Sequence, residues 1–422
     1  MSIRAFVLSD LHIGDRAGMV VAGRDGRFQS PLRIRSQFLD FLARVAALKL
    51  EHKPLLVLAG DVWDVAVDNI DDVATLSWDV FEELREGFSL FESILFLPGN
   101  HDHALWTLLQ TQTCVIRPLD RRAAGDRTAK AFPLPHAQEA LLDFTKGPHP
   151  ELEIPGVKPP YTGNVFLTGF TGGTIPVNVS YPNLAIRRAD GRHVVVTHGQ
   201  FFEQAWTLLS DLILPATEEN LPKGRNLASL EMLNASLTDF INYSLAQMGP
   251  LNDVLQQVYE DFRVGREPPQ FVPVMKALHD VLDRAADDHD RSLKGILRSF
   301  RNEIVIDIAL ALVKHYVRAN LENAKSETIL PSGRAPGILD NPDKLAKIEA
   351  YLRDVREDQA IPTPEIDQLV FGHTHESIRG RMIVLGGKSI ECWNPGSLVA
   401  PNGGDPDFMP IAIDHEGRAA AF

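Results

Sequence analysis

Along the first hundred residues, unbroken apolar runs alternate with segments in which apolar positions recur every three or four residues. IRAFVLS (3–9), LLVLA (55–59) and SILFL (93–97) have the length of buried strands, whereas residues 32–50 and 73–87 carry the spacing of amphipathic helices. Strands alternating with helices predict βαβ crossovers and an α/β fold with a mostly parallel central sheet. Residues 117–162, with PLPH and KPPY, read as a long irregular connection. Three more strand-like runs come next, NVFLTGF (164–170), TIPVNVS (174–180) and HVVVTHG (193–199), with GG, YPN and ADG as turn signals between them.

From Phe201 to about Glu357 the pattern becomes helical, as in residues 229–248, 253–262 and 296–321. IDQLVFG (366–372) then returns the chain to a sheet, followed by RMIVLGG, SIECWN and PIAID. This predicts a domain formed by 1–200 and 358–422, interrupted by a helical insertion at 201–357. A chain of 422 residues is long enough for both. The net charge of -14 argues against a chain-wide electrostatic grip on nucleic acid. Cys114 and Cys392 lie far apart and in no metal-binding pair, so a reducing, cytoplasmic setting is expected. The apolar run at the N-terminus is too short for a signal peptide, and no stretch is long enough for a transmembrane segment. Peripheral membrane contact stays open, as does the oligomeric state.

The chemistry lies just past the strand ends. IRAFVLS ends in DLH, with Asp10 and His12; LLVLA in GDVWD, with Asp61 and Asp64; and SILFL in GNHD, with Asn100 and His101. HVVVT ends in HG, with His198, and DQLVF in GHTH, with His373 and His375. Ligands gather outside the carboxyl ends of strands in α/β sheets, so these segments are expected to share one crevice. With the backbone still extended, Asp10/His12 and His373/His375 would each point their side chains the same way. Imidazole and carboxylate without thiolate suit manganese, iron, zinc or nickel, and so many ligands exceed the needs of a single four-coordinate ion. Two divalent ions with Asp61 as the shared carboxylate fit better; facing only Asp10 and Asp61 as charged ligands, they would leave a cationic site suited to phosphoryl oxygens.

The ordered set DLH, GDVWD, GNHD, THG and GHTH resembles the five motifs of the calcineurin-like metallophosphoesterase superfamily, from residue 10 to residue 375. The resemblance implies an αββα sandwich of mixed sheets, with the insertion outside it. It implies that Asp10, His12, Asp61 and His375 hold a first ion, and Asp61, Asn100, His198 and His373 a second, with manganese the leading candidate. It further implies a phosphodiesterase, phosphatase or pyrophosphatase in which metal-bound hydroxide attacks, His101 protonates the leaving oxygen and Asp64 hydrogen-bonds the His101 imidazole. A carboxylate partner suits that role, because it orients an imidazole and favours its protonated form.

Other residues carry weaker expectations. His103 reads as solvated or packed rather than as a substrate contact, Asp102 as a hydrogen-bond acceptor behind the ligands or a helix cap, and Asn394, in NPGSL, as a cap or a lining of the site. Arg16, Arg24 and Arg27 read as a solvated loop that an anionic substrate can reach; His279, His289 and His315 read as structural or exposed. GDVWD lacks a following Arg-Gly pair, unlike the Ser/Thr protein phosphatases. The SDLH start and helical insertion resemble the UDP-2,3-diacylglucosamine pyrophosphatases, although HGQ replaces their common HGD and the insertion is longer. A nucleotide- or lipid-linked phosphoester is therefore the expected substrate, with the insertion as a possible lid. The alternatives are a DNA repair-type exonuclease of the same superfamily and a noncatalytic metal-binding interaction protein.

Overall fold

Strand β1, Ile3–Leu8, is buried along its whole length because it has apolar neighbours on both faces. Ala5 and Val7 point into a core shared with a second sheet. Phe6 points the other way, its ring 5.5 Å from Phe41 of helix α1, Ser36–Ala47. The buried positions of α1, Phe38, Phe41, Leu42 and Val45, recur every three or four residues and form one stripe. Burying a side chain of that size contributes about 1.5–3 kcal/mol.

The computed structural model describes residues 3–15, 17–20, 32–154, 165–203, 206–207, 209–211, 226–244, 247, 337–358, 365–400 and 405–422. The chain divides into two compact units, Met1–Met248 with Asn341–Phe422, and Gly249–Asp340. In the first unit, β1 pairs in parallel with β2, Leu55–Ala59, which pairs with β3, Ile94–Leu97, and that with β6, Val177–Val179. Antiparallel β12, Ile411–Asp414, and β13, Ala419–Ala421, complete this sheet, in the order β13-β12-β1-β2-β3-β6. The strands of the second sheet are β4 Ala140–Asp143, β5 Leu152–Glu153, β7 Asn183–Arg187, β8 His193–Thr197, β9 Ile366–Phe371, β10 Ser377–Leu385 and β11 Lys388–Pro395. They run in the order β10-β11-β9-β8-β7-β4-β5. The structure is thus mixed α/β, with two mixed sheets flanked by helices.

A single, mostly parallel sheet is corrected by this arrangement. Alternation along the chain reports which segments are strands, but it cannot divide them between two sheets that share a core. The span 117–162 also holds more structure than expected, including helix Arg117–Ala123, β4 and β5; runs as short as ALLD barely register as periodicity. NVFLTGF is corrected from strand to helix, Val165–Phe170, because Leu167 and Phe170 bury at helical spacing and Phe170 meets the Trp63 ring at 5.3 Å. Helices α2, Ile70–Glu83, α4, His103–Thr111, α7, Leu227–Asp239, and α8, Pro342–Asp358, also belong to the first unit, as do the short α3, Arg85–Phe88, α5, Arg117–Ala123, and α6, Val165–Phe170. The runs 253–262 and 296–321, His279, His289 and His315, and Arg16, Arg24 and Arg27 lie outside the described residues. No helix among the described residues is long and apolar enough to cross a membrane.

Candidate metal centre

The carboxyl ends of β1, β2 and β3 lie side by side in one sheet, and those of β8 and β9 in the other. Backbone bonds knit the segments beyond them: Asp10 N–H donates to Gly60 O at 3.0 Å, His12 N–H to Asp61 O at 2.9 Å, and Gly372 N–H to His198 O at 2.9 Å. A further bond joins the sheets, from His373 N–H to Asp10 Oδ2 at 3.0 Å.

Local backbone at these residues is not extended. Asp10, His12, Asp61, His373 and His375 all have positive φ, between 48° and 69°; among the described residues the other non-glycine residues of this kind are Lys49 and His136. Left-handed backbone costs about 1–2 kcal/mol at a residue with a Cβ and persists where the surroundings over-determine it. The expectation of paired side chains on an extended backbone is therefore corrected. Asp10 and His12 nevertheless join one group, whereas His373 and His375 join two neighbouring ones. Two glycines make the crowding possible. A Cβ on Gly60 would lie 2.3 Å from the His198 ring, and one on Gly372 would lie 1.8 Å from Ser9 Oγ.

What converges here is a set of acceptors. His198 Nδ1 lies 2.9 Å from Ala59 O, and His12 Nδ1 2.7 Å from Asp64 Oδ2, so each of these nitrogens carries hydrogen and Nε2 faces the site. His198 Nε2 is 3.2 Å from Asp61 Oδ2 and 3.1 Å from Asn100 Oδ1. His12 Nε2 is 3.2 Å from His375 Nε2 and 3.9 Å from both Asp10 Oδ1 and Asp61 Oδ2. Asp10 Oδ1 is buried, 3.3 Å from His375 Nε2, and makes no hydrogen bond. Lone pairs packed this closely require a shared cation, either a proton on imidazole or a metal ion. Burial opposes a charged imidazole, but neighbouring carboxylates outweigh it, pushing His198 up to about 9 and His12 well above its ordinary value.

Among the described residues, candidate ligand atoms fall within 4.8 Å of one another in three groups, Asp10–His12–His375, Asp61–His198–His373 and His12–Asp64–His101. Asp61 Oδ2, between His198 Nε2 and His12 Nε2, faces both. No protein family and no curated protein matches this chain. The donor set of imidazole, carboxylate and carboxamide fits manganese, iron, zinc or nickel.

His101, 15% exposed, places Nδ1 2.8 Å from Oδ1 of the fully buried Asp64. Burial lowers its pKa, but Asp64 and Asp61 raise it further, to about 9. Asp64 thus grips two imidazoles, those of His12 and His101. Asp102 accepts from the N–H groups of Gly99 at 2.6 Å and Val62 at 2.7 Å, with Asp61 and Trp63 at 3.3 Å, so it anchors the turn that carries Asp61 and does not cap α4 with its side chain. Burial and the Asp61 charge push it up to about 7, against those N–H groups.

Of the solvated and packed roles expected for His103, the structure shows the packed one. His103 is buried between Glu231, 2.8 Å from Nε2, and Asp239, 2.6 Å from Nδ1, both on α7. Asn394 serves as a brace: Nδ2 donates to Gly372 O and Thr374 Oγ1, both at 3.0 Å. Two neighbours escaped sequence reasoning. Asn242 Nδ2 donates to Asn100 O at 2.7 Å, and Glu203 Oε2 lies 3.3 Å from His373 Nε2. Neither belongs to a motif; the only hint of Glu203 is an acidic residue soon after His198, beyond the apolar Phe201 and Phe202.

Proposed function

We propose that this chain is a metal-dependent phosphoric ester hydrolase of the calcineurin-like metallophosphoesterase type, acting on a phosphodiester or pyrophosphate bond. The observation that carries the reading is the placement of Asp61 Oδ2 between two imidazole nitrogens whose other ring nitrogens are already committed to hydrogen bonds. That arrangement supports Asp10, His12, Asp61 and His375 as one ligand set and Asp61, Asn100, His198 and His373 as the other. When bound, two divalent ions would polarise a phosphoryl oxygen and bring the pKa of water towards neutrality.

The protein's own residues supply the proton. Asp64 fixes the His101 ring through Nδ1, leaving Nε2 to carry a proton to the departing oxygen. The raised pKa of His101 keeps that proton in place at neutral pH. The test is manganese-supplemented turnover of bis-p-nitrophenyl phosphate and p-nitrophenyl phosphate by wild type and His101→Ala. Diester hydrolysis by wild type, reduced about 100-fold or more in a variant that still takes up manganese, is the expected result. Tight manganese uptake without turnover of any phosphoester would favour a noncatalytic metal-binding protein.

A further inference from the structure

Glu203 has no part in the proposed hydrolysis, yet it is buried at the mouth of the same strand ends. It comes directly after the short turn Gln200–Phe202 that leaves β8, and Phe202 is packed 5.5 Å from Phe371 and 5.4 Å from Tyr351, ring to ring. Its two oxygens have different partners. Oε2 lies 3.3 Å from His373 Nε2, and Oε1 accepts from Lys344 Nζ of α8 at 2.6 Å. A carboxylate only accepts, so when Nε2 of His373 donates to Glu203 the lone pair of the neutral ring is on Nδ1. Without that partner the ring would exchange tautomers and lose its orientation.

We propose that Glu203 is a positioning residue for the second ion site, setting the tautomer and orientation of His373, with Lys344 holding Glu203 in turn. Carboxylates behind metal-bound imidazoles raise ligand basicity and fix the ring, and their loss typically weakens metal affinity about 10- to 100-fold. The simpler role, a salt bridge that only ties the β8 turn to α8, has a nearby counterpart in Lys347, which binds Asp211 and Thr207. Stability and metal affinity distinguish the two roles.

The proposal rests on the two-ion reading, and calorimetric titration with Mn2+ tests both. Full-length wild type, Glu203→Gln, His373→Ala and the double variant are titrated, with thermal melts alongside. Glu203→Gln keeps the side-chain volume and removes the charge, so it decides even if Glu203→Ala fails to fold. Wild type should bind two ions. Glu203→Gln should weaken one site about 10- to 100-fold and spare the other, and the double variant should bind no more weakly than His373→Ala alone, because both changes act through one ring. Unchanged binding in Glu203→Gln, equal weakening of both sites, or a shifted melt with intact affinity would overturn the positioning role. Failure of wild type to bind a second ion would instead overturn the two-ion reading.

Discussion

At the scale of single residues, the site is a contest between protons and metal for the same lone pairs. His198 is pushed to about 9 and His12 well above its ordinary value because carboxylates crowd their Nε2 atoms. An ion that takes those lone pairs must displace the protons. Below pH 9 the imidazole is the protonated competitor, so manganese affinity should fall as the pH falls, about tenfold per pH unit for each proton displaced. Titration calorimetry in buffers of different ionisation enthalpy should detect that proton release between pH 7 and 8. Affinity independent of pH in this window would mean that His12 and His198 hold no protons there for an ion to displace.

At the scale of elements, the docking of α7 depends on charge as well as apolar contact. His103 on α4 sits between Glu231 and Asp239, Tyr181 donates to Glu231 at 2.8 Å, and Thr107 donates to Asp239 at 2.8 Å. Removing the cation would leave Glu231 buried without its charge partner. His103→Leu should therefore cost about 3 kcal/mol or more in urea unfolding. Linkage supplies a second signature. Burial lowers the pKa of His103, but the two carboxylates raise it well above 6.5, so its contribution is complete below pH 6.5 and is lost as the pH rises through the folded value. The deficit of His103→Leu should narrow in alkaline solution; a constant deficit would mean that packing, not charge, holds α7.

At the scale of the whole molecule, the first unit contains every proposed ligand together with His101, Asp64, Glu203 and Lys344. Two of its residues that are close in sequence to the unit boundaries touch the site. Asn242, near the end of the stretch before Gly249, holds Asn100, and Lys344, just after Asp340, holds Glu203. Replacing Gly249–Asp340 with a flexible linker should leave manganese stoichiometry and hydrolysis of a small chromogenic diester in place. If the insertion works as a lid, the same variant should lose discrimination among larger nucleotide- and lipid-linked esters. Loss of metal would show that the first unit does not make the site alone, and unchanged discrimination would remove the lid.

The sequence by itself determined the chemistry of the strand ends, because an apolar run followed by DLH, GDVWD, GNHD, HG or GHTH needs only local pattern and residue type to be read. It also located most strands of both sheets. Periodicity could not divide these strands between two sheets, a division that only the five-motif resemblance anticipated, and tertiary structure alone decided that β7, too short and too ordinary as NLAIR to stand out, lies between β8 and β4. It alone showed the left-handed backbone at Asp10, His12, Asp61, His373 and His375, which long-range packing imposes on residues that local preference would not choose. The roles of His103 and Glu203 were hidden for the same reason. Their partners Glu231 and Lys344 are far away in sequence, and no periodicity reports which distant side chain will neutralise a buried charge.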